Sequence, residues 1–446
     1  MGISNGKAQK VIVTALLLGL FGAWIHAQTA PDIATPSIIP PNGGQSIEDL
    51  NFIGAEAAMP AFDDSVIRVN SGYRRALFSK GMALRLVQKV QYAQNVLQTP
   101  VSAEHQTYVG EHPFEGALDH LLFTADLRQL HLQHAQFYGS GVWNWVSWNP
   151  AGPKTIQIWD LDFYKAFDND RIEMKAGYIS NDLEFEGLLV GGSTGTAAQG
   201  VYAVLPYEVG SSYFPLTAPS FNLRIRGPKN AYLKTAAQRS LDPEGGPATV
   251  ARNRTGFRFI PKGDKLLQIN EVGYIRVASA ATRESWFRAG YMRNSTPHLN
   301  FRNRKKESGN DHAFVLMDYQ LRKPDPLQPN QGLYVGGSAM IAASRFNAYD
   351  RYYEARLYQK APFRPRPDDM VSIVASYSGY SKYFTDPLVA AGKTVWRNSP
   401  SLTGSYSLHV HPGQYMSIGL SYTHGPAITP RVSDALTFST SYLVFF

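Results

Sequence analysis

From Met82 onward, apolar and polar side chains alternate with a period of two. Leu84, Leu86, Val90 and Tyr92 alternate with Arg85, Val87, Lys89 and Gln91, with Gln88 as the exception. Phe221, Leu223 and Ile225 alternate with Asn222, Arg224 and Arg226, and Tyr353, Ala355 and Leu357 with Glu354, Arg356 and Tyr358. Val371, Ile373, Ala375 and Tyr377 repeat the pattern against Ser372, Val374, Ser376 and Ser378. A period of two sends successive side chains to opposite faces of a strand, so each segment predicts a strand with two unlike faces. A soluble sandwich shares that signature. The last strand is more specific: Leu436, Phe438, Thr440, Tyr442, Val444 and Phe446 fall on one face. In a soluble fold this would be an exposed aromatic-rich edge, open to aggregation.

The connections sharpen the choice. Asp168–Asp170, Gly227–Asn230 and His411–Gly413 read as tight turns, whereas Ile179 to Ser220, Leu241 to Lys265, Ser295 to Asn310 and Gly379 to Ser401 are long. Short turns at one rim and long loops at the other are the habit of an outer-membrane barrel. A chain with both ends in the periplasm needs an even number of strands. Gly256 to Pro261, followed at once by Gly263, is the weakest candidate and is assigned to a loop, which leaves about 16 strands. The expected fold is therefore all-β: a transmembrane antiparallel barrel over residues 82–446, behind a short N-terminal periplasmic segment.

Ahead of the barrel, Lys7 and Lys10 precede an apolar run from Val11 to Trp24, and Ile25-His26-Ala27 offers a cleavage site. Residues 1–27 read as a signal peptide. Residues 28–81 read as a periplasmic leader, rich in Pro, Ala, Ser and Gly up to residue 60. It carries a short helix that Ser71 can cap and Gly81 can end. Beyond residue 27 no stretch approaches the roughly 18 apolar residues of a spanning helix. Tyr and Phe number 25 and 23, yet the mean hydropathy is only −0.24, as suits strands that face lipid on one side and water on the other. With no cysteine there is no disulfide or thiolate chemistry. The net charge of +8 is compatible with nucleic acid, a membrane surface or an anion-attracting pore, and export disfavours the first.

From about residue 71 to the end, the chain resembles the carbohydrate-selective outer-membrane porins of the OprB type. Gly72, Arg74, Leu77 and Gly81 match the family's segment before the first strand, without its usual tryptophan. Asp126-Leu127-Arg128-Gln129-Leu130 is similar to its Asp-Leu-x-Lys-Leu strand end, and Lys175 through Phe185 to the strand entering its long constricting loop. Asn270–Tyr274, Met317–Gln320 and Arg364–Asp369 match further short motifs in order. Ser417, Gly419 and Ser421 stand where the family often has Gln and Asp, and Thr403 where a Glu is common. The final strand, ending on Phe446, resembles the signal by which outer-membrane proteins are recognised for assembly. The resemblance implies a barrel of about 16 strands, passive sugar uptake and no cofactor.

A charge facing lipid is costly, so charges alternating with apolar residues are expected in the lumen. These are Arg85, Lys89, Arg224, Arg226, Lys234, Arg288, Asp318, Arg322, Glu354 and Arg356, with the polar Gln320. Glu271 joins them on the family comparison alone, because Lys265 to Ile275 alternates poorly. Singly, each is as readily a wall-stiffening ion pair; as a set they read as a pore lining. Asp182 and Glu184 are candidates for the constriction loop, or else solvated loop charges. Arg224 and Arg226, if free of a carboxylate such as Asp318 or Glu354, would favour anions. Gly191-Gly192-Ser193-Thr194-Gly195 fits the serine-hydrolase elbow, and Leu188–Val190 could supply its strand, but Thr196 to Gly200 makes a poor helix to follow it. The close pairs His131/His134 and His409/His411 lack further ligands for a metal. The function expected is a porin for small solutes, chiefly sugars. Alternatives are an anion-preferring or general diffusion pore and an outer-membrane hydrolase. Expected partners are those solutes, outer-membrane lipid and the barrel-assembly machinery, with no nucleic acid, the protein being a monomer or homotrimer.

Overall fold

In a computed structural model of the chain, residues 46–446 are described, apart from positions 55, 57, 69–71, 149–153, 187–193, 198–202 and 430. The signal peptide, the first part of the leader, the Ser71 cap and Ser193 lie outside the described residues. The two-residue period is realised as sixteen antiparallel strands closed into one barrel. The first half comprises β1 (Met82–Asn95), β2 (Phe114–Asp126), β3 (Ala135–Val146), β4 (Thr155–Phe167), β5 (Ile172–Ile179), β6 (Ala218–Arg226), β7 (Ala231–Arg239) and β8 (Leu266–Arg276). The second half comprises β9 (Ser285–Asn294), β10 (Asn310–Arg322), β11 (Gly332–Ala342), β12 (Tyr349–Lys360), β13 (Met370–Tyr380), β14 (Asn398–His411), β15 (Gln414–His424) and β16 (Asp434–Phe445).

Each strand pairs with its sequence neighbours, and β16 pairs back onto β1 from Val87↔Phe445 to Asn95↔Thr437. Phe446 continues the seam, its amide donating to the Leu86 carbonyl at 2.8 Å. Closure leaves no edge strand, the arrangement a bilayer demands of a sheet. No helix among the described residues is long and apolar enough to cross a membrane. Gly256 to Pro261 forms no strand; Phe257, Phe259 and Ile260 are exposed in the long loop between β7 and β8. At the opposite rim, Asp168, Asn169 and Asp170 turn the chain with three successive left-handed residues. Asp and Asn are among the side chains that best tolerate that region.

The barrel interior is not uniformly polar. The described parts of the loop between residues 180 and 217, here called the inner loop, fold into the lumen. Phe185, Leu205, Val209, Tyr213 and Leu216 share an apolar cluster with the inward Leu267, Ile269, Met292, Phe314 and Tyr352. This explains the poor alternation of β8. Leu267 and Ile269 pack on the inner loop while Leu266 and Val272 are exposed on the outer face, so apolar residues fall on both faces.

The leader also enters the barrel. A helix spans Gly72–Phe78, ended by Gly81 in the left-handed region, as the sequence suggests. Before it, the described residues between 46 and 68 form a strap across the inner wall rather than a free leader. Leu50 accepts from Thr124 Oγ1 at 2.6 Å, the Ile53 amide donates to Gln136 Oε1 at 3.1 Å, and Val66 donates to the Phe445 carbonyl at 2.9 Å. Asp64 bonds His409 Nε2 at 2.9 Å and the Gly413 amide at 2.6 Å. These hydrogen bonds hold its carboxyl below the usual range despite partial burial.

Deleting Phe446 removes the last rung of the seam and its aromatic terminus. The truncated chain is expected to yield less heat-modifiable, folded barrel in outer-membrane fractions. Assembly indistinguishable from the full chain would count against the terminal strand as the assembly signal.

Candidate functional site

Inside the barrel, strand register decides which charges meet. On β5, β6 and β7, Glu173, Arg224 and Lys234 lie directly across from one another, and Lys234 is opposite Glu271 on β8. Glu173 stands 2.7 Å from Arg226 Nη2 and 3.8 Å from Arg224 Nε. The Arg224/Arg226 pair is thus not free, and its neutralisers are not Asp318 or Glu354. Glu56 of the strap adds a second carboxylate, accepting from Arg224 Nη1 at 3.0 Å and from Lys234 Nζ at 2.6 Å. Burial alone would raise the Glu56 carboxyl, yet the adjacent Arg224 and Lys234 hold it well below the usual carboxylate range.

The ladder runs on into the inner loop. Glu184 bonds Lys175 Nζ at 2.5 Å and lies 3.4 Å from Lys234 Nζ. Lys234 also donates to the Glu184 carbonyl, and Arg288 to that of Phe185. Glu271, which sequence alone places poorly, is inward: its Oε1 accepts from Tyr232 at 2.7 Å and its Oε2 is 3.8 Å from Arg288. Arg288 stacks 3.8 Å over Trp286. Asp182 sits at the root of the inner loop, accepting from Ser180 Oγ at 2.8 Å. Beside it Asn181 bonds Ser220, Asn222 and Gln238, tying the loop to β6 and β7.

A second, separate cluster holds Asp318, Glu354 and Arg356. Arg356 donates to Asp318 at 3.0 and 2.7 Å, to Glu354 at 2.6 Å, to Ser338 at 2.9 Å and to the Met317 carbonyl at 2.9 Å. All five of its donor hydrogens are engaged, so this residue reads as a strut in the wall. Gly336 makes room for it: a Cβ there would lie 2.4 Å from both Arg356 Nε and Asp318 Oδ1.

The remaining candidates divide. Arg85 donates to the Pro60 carbonyl at 2.8 Å and stacks 4.1 Å over Phe62, so the strap covers it. Gln320 is inward but spent on the β10–β11 turn, donating to the carbonyls of Pro329 and Gln331. Arg322 stands apart from the set. The register slips between Gln320 and Arg322, which brings Arg322 opposite Leu333 and leaves it exposed at the rim. Such a bulge re-aims the side chain and breaks the alternation that carries Asp318 and Gln320 inward. Lys89 is the exception in the other direction. It forms no ion pair among the described residues and faces a space of about 720 Å³ open to solvent. That space is bounded by Gln91, His120, Asn144, Trp159 and Phe214, with Met59 of the strap and Thr194 of the inner loop. His120 packs edge-on against Trp159, and Trp159 against Phe214, with ring centroids 4.0 and 4.9 Å apart.

The strap and inner loop meet there: Thr194 donates its amide to the Ala58 carbonyl at 3.0 Å, and Ala197 accepts from Ser407 on the far wall. Glu56, Glu173, Lys175, His120 and Trp159 were not among the sequence candidates. Glu173 and Lys175 alternate with Ile172, Met174 and Ala176, so their period was a usable signal. Glu56 lies in a segment with no period at all. Elsewhere His134 contacts Asp170 and His409 contacts Asp64, and no group of three possible metal ligands occurs among the described residues.

A family model described as "Carbohydrate-selective porin, OprB family" matches residues 135–444, from the start of β3 almost to the end of β16. The motifs noted between residues 72 and 130 precede that range. Among solved structures, the high-pH structure of Pseudomonas putida OprB superimposes with a TM-score of 0.73 at 14% identity, over 86% of this chain and 98% of that one. The low-pH structure of the same protein gives 0.55 at 12% identity, with the same coverage. No curated protein sequence matches the chain.

Two predictions follow from these clusters. Gly336→Ala should force Arg356 from Asp318, and breaking a buried pair costs about 3–5 kcal/mol. Thermal unfolding of the purified barrel checks this, with an unchanged midpoint as the contrary result. The second concerns pH. Burial pushes the inner-loop carboxyls of Asp182 up to about 7 and Glu208 up to about 8, against their hydrogen bonds from Ser180 and the Tyr349 amide. The folded chain then holds both protons to higher pH than the unfolded chain. Raising the pH from about 4 to about 8 should therefore withdraw stability from the inner loop. Hydrogen exchange of residues 203–217 should quicken across that window, and the double variant Asp182→Asn/Glu208→Gln should flatten the dependence.

Proposed function

The chain belongs to the OprB family of carbohydrate-selective porins, and from that premise we propose where its solutes pass and which side chains meet them. The protein is an outer-membrane porin for passive diffusion of small solutes, sugars among them, and a channel rather than an enzyme. The route we assign is the space bounded by Lys89, Gln91, His120, Asn144, Trp159 and Phe214. One observation carries the choice. Elsewhere the candidate cations that face the lumen are tied to carboxylates or backbone carbonyls, whereas here an ammonium without an ion pair among the described residues and two amides stand beside aromatic rings. Aromatic faces suit the C–H faces of a sugar ring, and the amides and Lys89 can exchange hydrogen bonds with its hydroxyls. Together they replace lost hydration without a grip too strong for exit.

The paired ladder of Glu56, Glu173, Glu184, Arg224, Arg226 and Lys234 then acts as a stiffener that holds the inner loop and strap in place. The candidates Asp182 and Glu184 narrow the pore by anchoring that loop, not by projecting free charge. An anion preference rests on Lys89 rather than on Arg224 and Arg226. All the lining groups come from one barrel, so the pore is complete in a monomer, and a homotrimer would repeat it. Export with cleavage after Ala27, an outer wall in contact with lipid, and insertion by the barrel-assembly machinery through the β16 strand complete the reading.

In planar bilayers the purified protein should conduct steadily, and glucose should block the current in a titratable way. Trp159→Ala should weaken that block about tenfold, the scale of one lost aromatic contact of about 1.4 kcal/mol. Lys89→Gln should lower chloride-over-potassium selectivity, most visibly at low salt. Glucose block and ion selectivity both unmoved by the two changes would place the route elsewhere in the lumen.

A further inference from the structure

The external rim of the barrel is not level. Among the described residues, β4 is paired on its β5 side only as far as Leu161, opposite Tyr178, although β4 itself begins at Thr155. Next to it, β6 starts at Ala218, opposite Ile179, and β7 ends at Arg239, opposite Leu266. The wall is low here, and the long β7–β8 loop is laid across it. Tyr178 takes the opposite face from the inward Lys175 and so points outward. Phe257 and Phe259 pack edge-on against its ring, with centroids 6.3 and 6.5 Å away, and Tyr178 donates to the Phe257 carbonyl at 2.6 Å. Gln157 donates to the Arg254 carbonyl at 3.3 Å and Arg239 to that of Arg258 at 2.8 Å.

These bonds fix the loop, yet Phe257, Phe259 and Ile260 remain 60%, 64% and 69% exposed. Irregular backbone open to lipid does not occur within hydrocarbon, so the low rim marks the top of the apolar layer on this side. The loop therefore lies at headgroup level, with its rings reaching down to the lipid-facing Tyr178. Aromatic side chains suit that boundary between acyl chains and headgroups. Charge adds a second, independent feature. Between Asn253 and Gly263 the chain carries Arg254, Arg258 and Lys262 and no carboxylate. The carboxylates in the rest of the loop are taken, Asp242 and Asp264 by Arg252 and Glu244 by Lys306. Arg254, Arg258 and Lys262 are exposed and form no ion pair among the described residues. Arg258 donates from Nη1 to the Arg252 carbonyl at 3.0 Å, which orients its guanidinium on the loop.

We propose that the segment from Asn253 to Gly263 is a docking site for a phosphorylated lipid of the outer leaflet. Arg254, Arg258 and Lys262 meet its phosphates, and Phe257, Phe259 and Ile260 meet its acyl chains. Free phosphate would engage only the first group and a neutral lipid only the second, so the site favours a ligand that carries both. A lipid held there covers the low rim between β4 and β8 and pins the loop to the wall. The proposal depends on outer-membrane placement and not on the route assigned to solutes.

The test uses the full-length protein in neutral detergent and reads its thermal midpoint. The probes are diphosphoryl lipid A, the same lipid with its phosphates removed, and inorganic phosphate. Diphosphoryl lipid A should raise the midpoint, half-saturating at a concentration about tenfold or more below that of the dephosphorylated lipid. Inorganic phosphate at equal concentration should leave the midpoint unmoved. In the triple variant Arg254→Gln/Arg258→Gln/Lys262→Gln the two lipids should act alike, while conductance in planar bilayers stays at the wild-type value. Phe259→Ser/Ile260→Ser should weaken both lipids and keep the preference for phosphate. Equal response of the wild-type protein to the two lipids would overturn the proposal, and that arm needs no variant to fold. So would a triple variant that keeps the preference, or a rise of the same size with inorganic phosphate. A patch that drives self-association, lost in the triple variant and indifferent to lipid phosphate, would overturn it in favour of an interface between copies of the chain.

Discussion

Backbone hydrogen bonding in hydrocarbon is the constraint on which the rest depends. A lipid-facing amide has no water to turn to, so every strand must be flanked on both sides and the sheet must close. Here closure is made by β16 on β1, with Val87 across from Phe445 and the Phe446 amide on the Leu86 carbonyl. Once the seam is shut, the pleat settles the rest of the wall. Alternate side chains face lipid, and the others are enclosed in a lumen where charges must find partners.

The enclosed side chains meet that demand in three ways. Arg356 is saturated by wall groups alone and Gly336 leaves space for it. Arg224, Arg226 and Lys234 are balanced by Glu173 on a neighbouring strand, by Glu184 from the inner loop and by Glu56 from the strap. Lys89 forms no ion pair among the described residues and stands beside the open space. Pairing of most charges gives rigidity, and in the route proposed above Lys89, among aromatic rings and amides, would give the passage its chemistry. A lumen lined throughout by free cations would select on charge and hold anions too tightly to release them.

The inner loop and strap also change what kind of interior this is. Phe185, Leu205 and Leu216 give part of the lumen an apolar core of the sort found in soluble proteins. The loop is therefore held by packing as well as by charge. Its position still depends on buried carboxyls, Asp182 and Glu208, whose neutral forms the fold prefers.

Much of this was legible in the sequence, and for a local reason. The period of two, the turn chemistry at Asp168–Asp170 and the aromatic alternation up to Phe446 are properties of residues a few positions apart. They were enough for sixteen strands, the order of short and long connections, and the inward side of Arg224, Asp318 and Arg356. The family resemblance added the class of solute. What tertiary structure decided is which groups meet across long separations. Glu173 finds Arg224 only because the chain returns beside β5 after a long loop. Glu56 finds both cations from a segment with no period. A slip of register at Gln320 sends Arg322 out of the lumen, and an apolar loop against Leu267 and Ile269 erases the alternation of β8. Period reports on the face a side chain takes; it carries no information about what the closed barrel brings to that face.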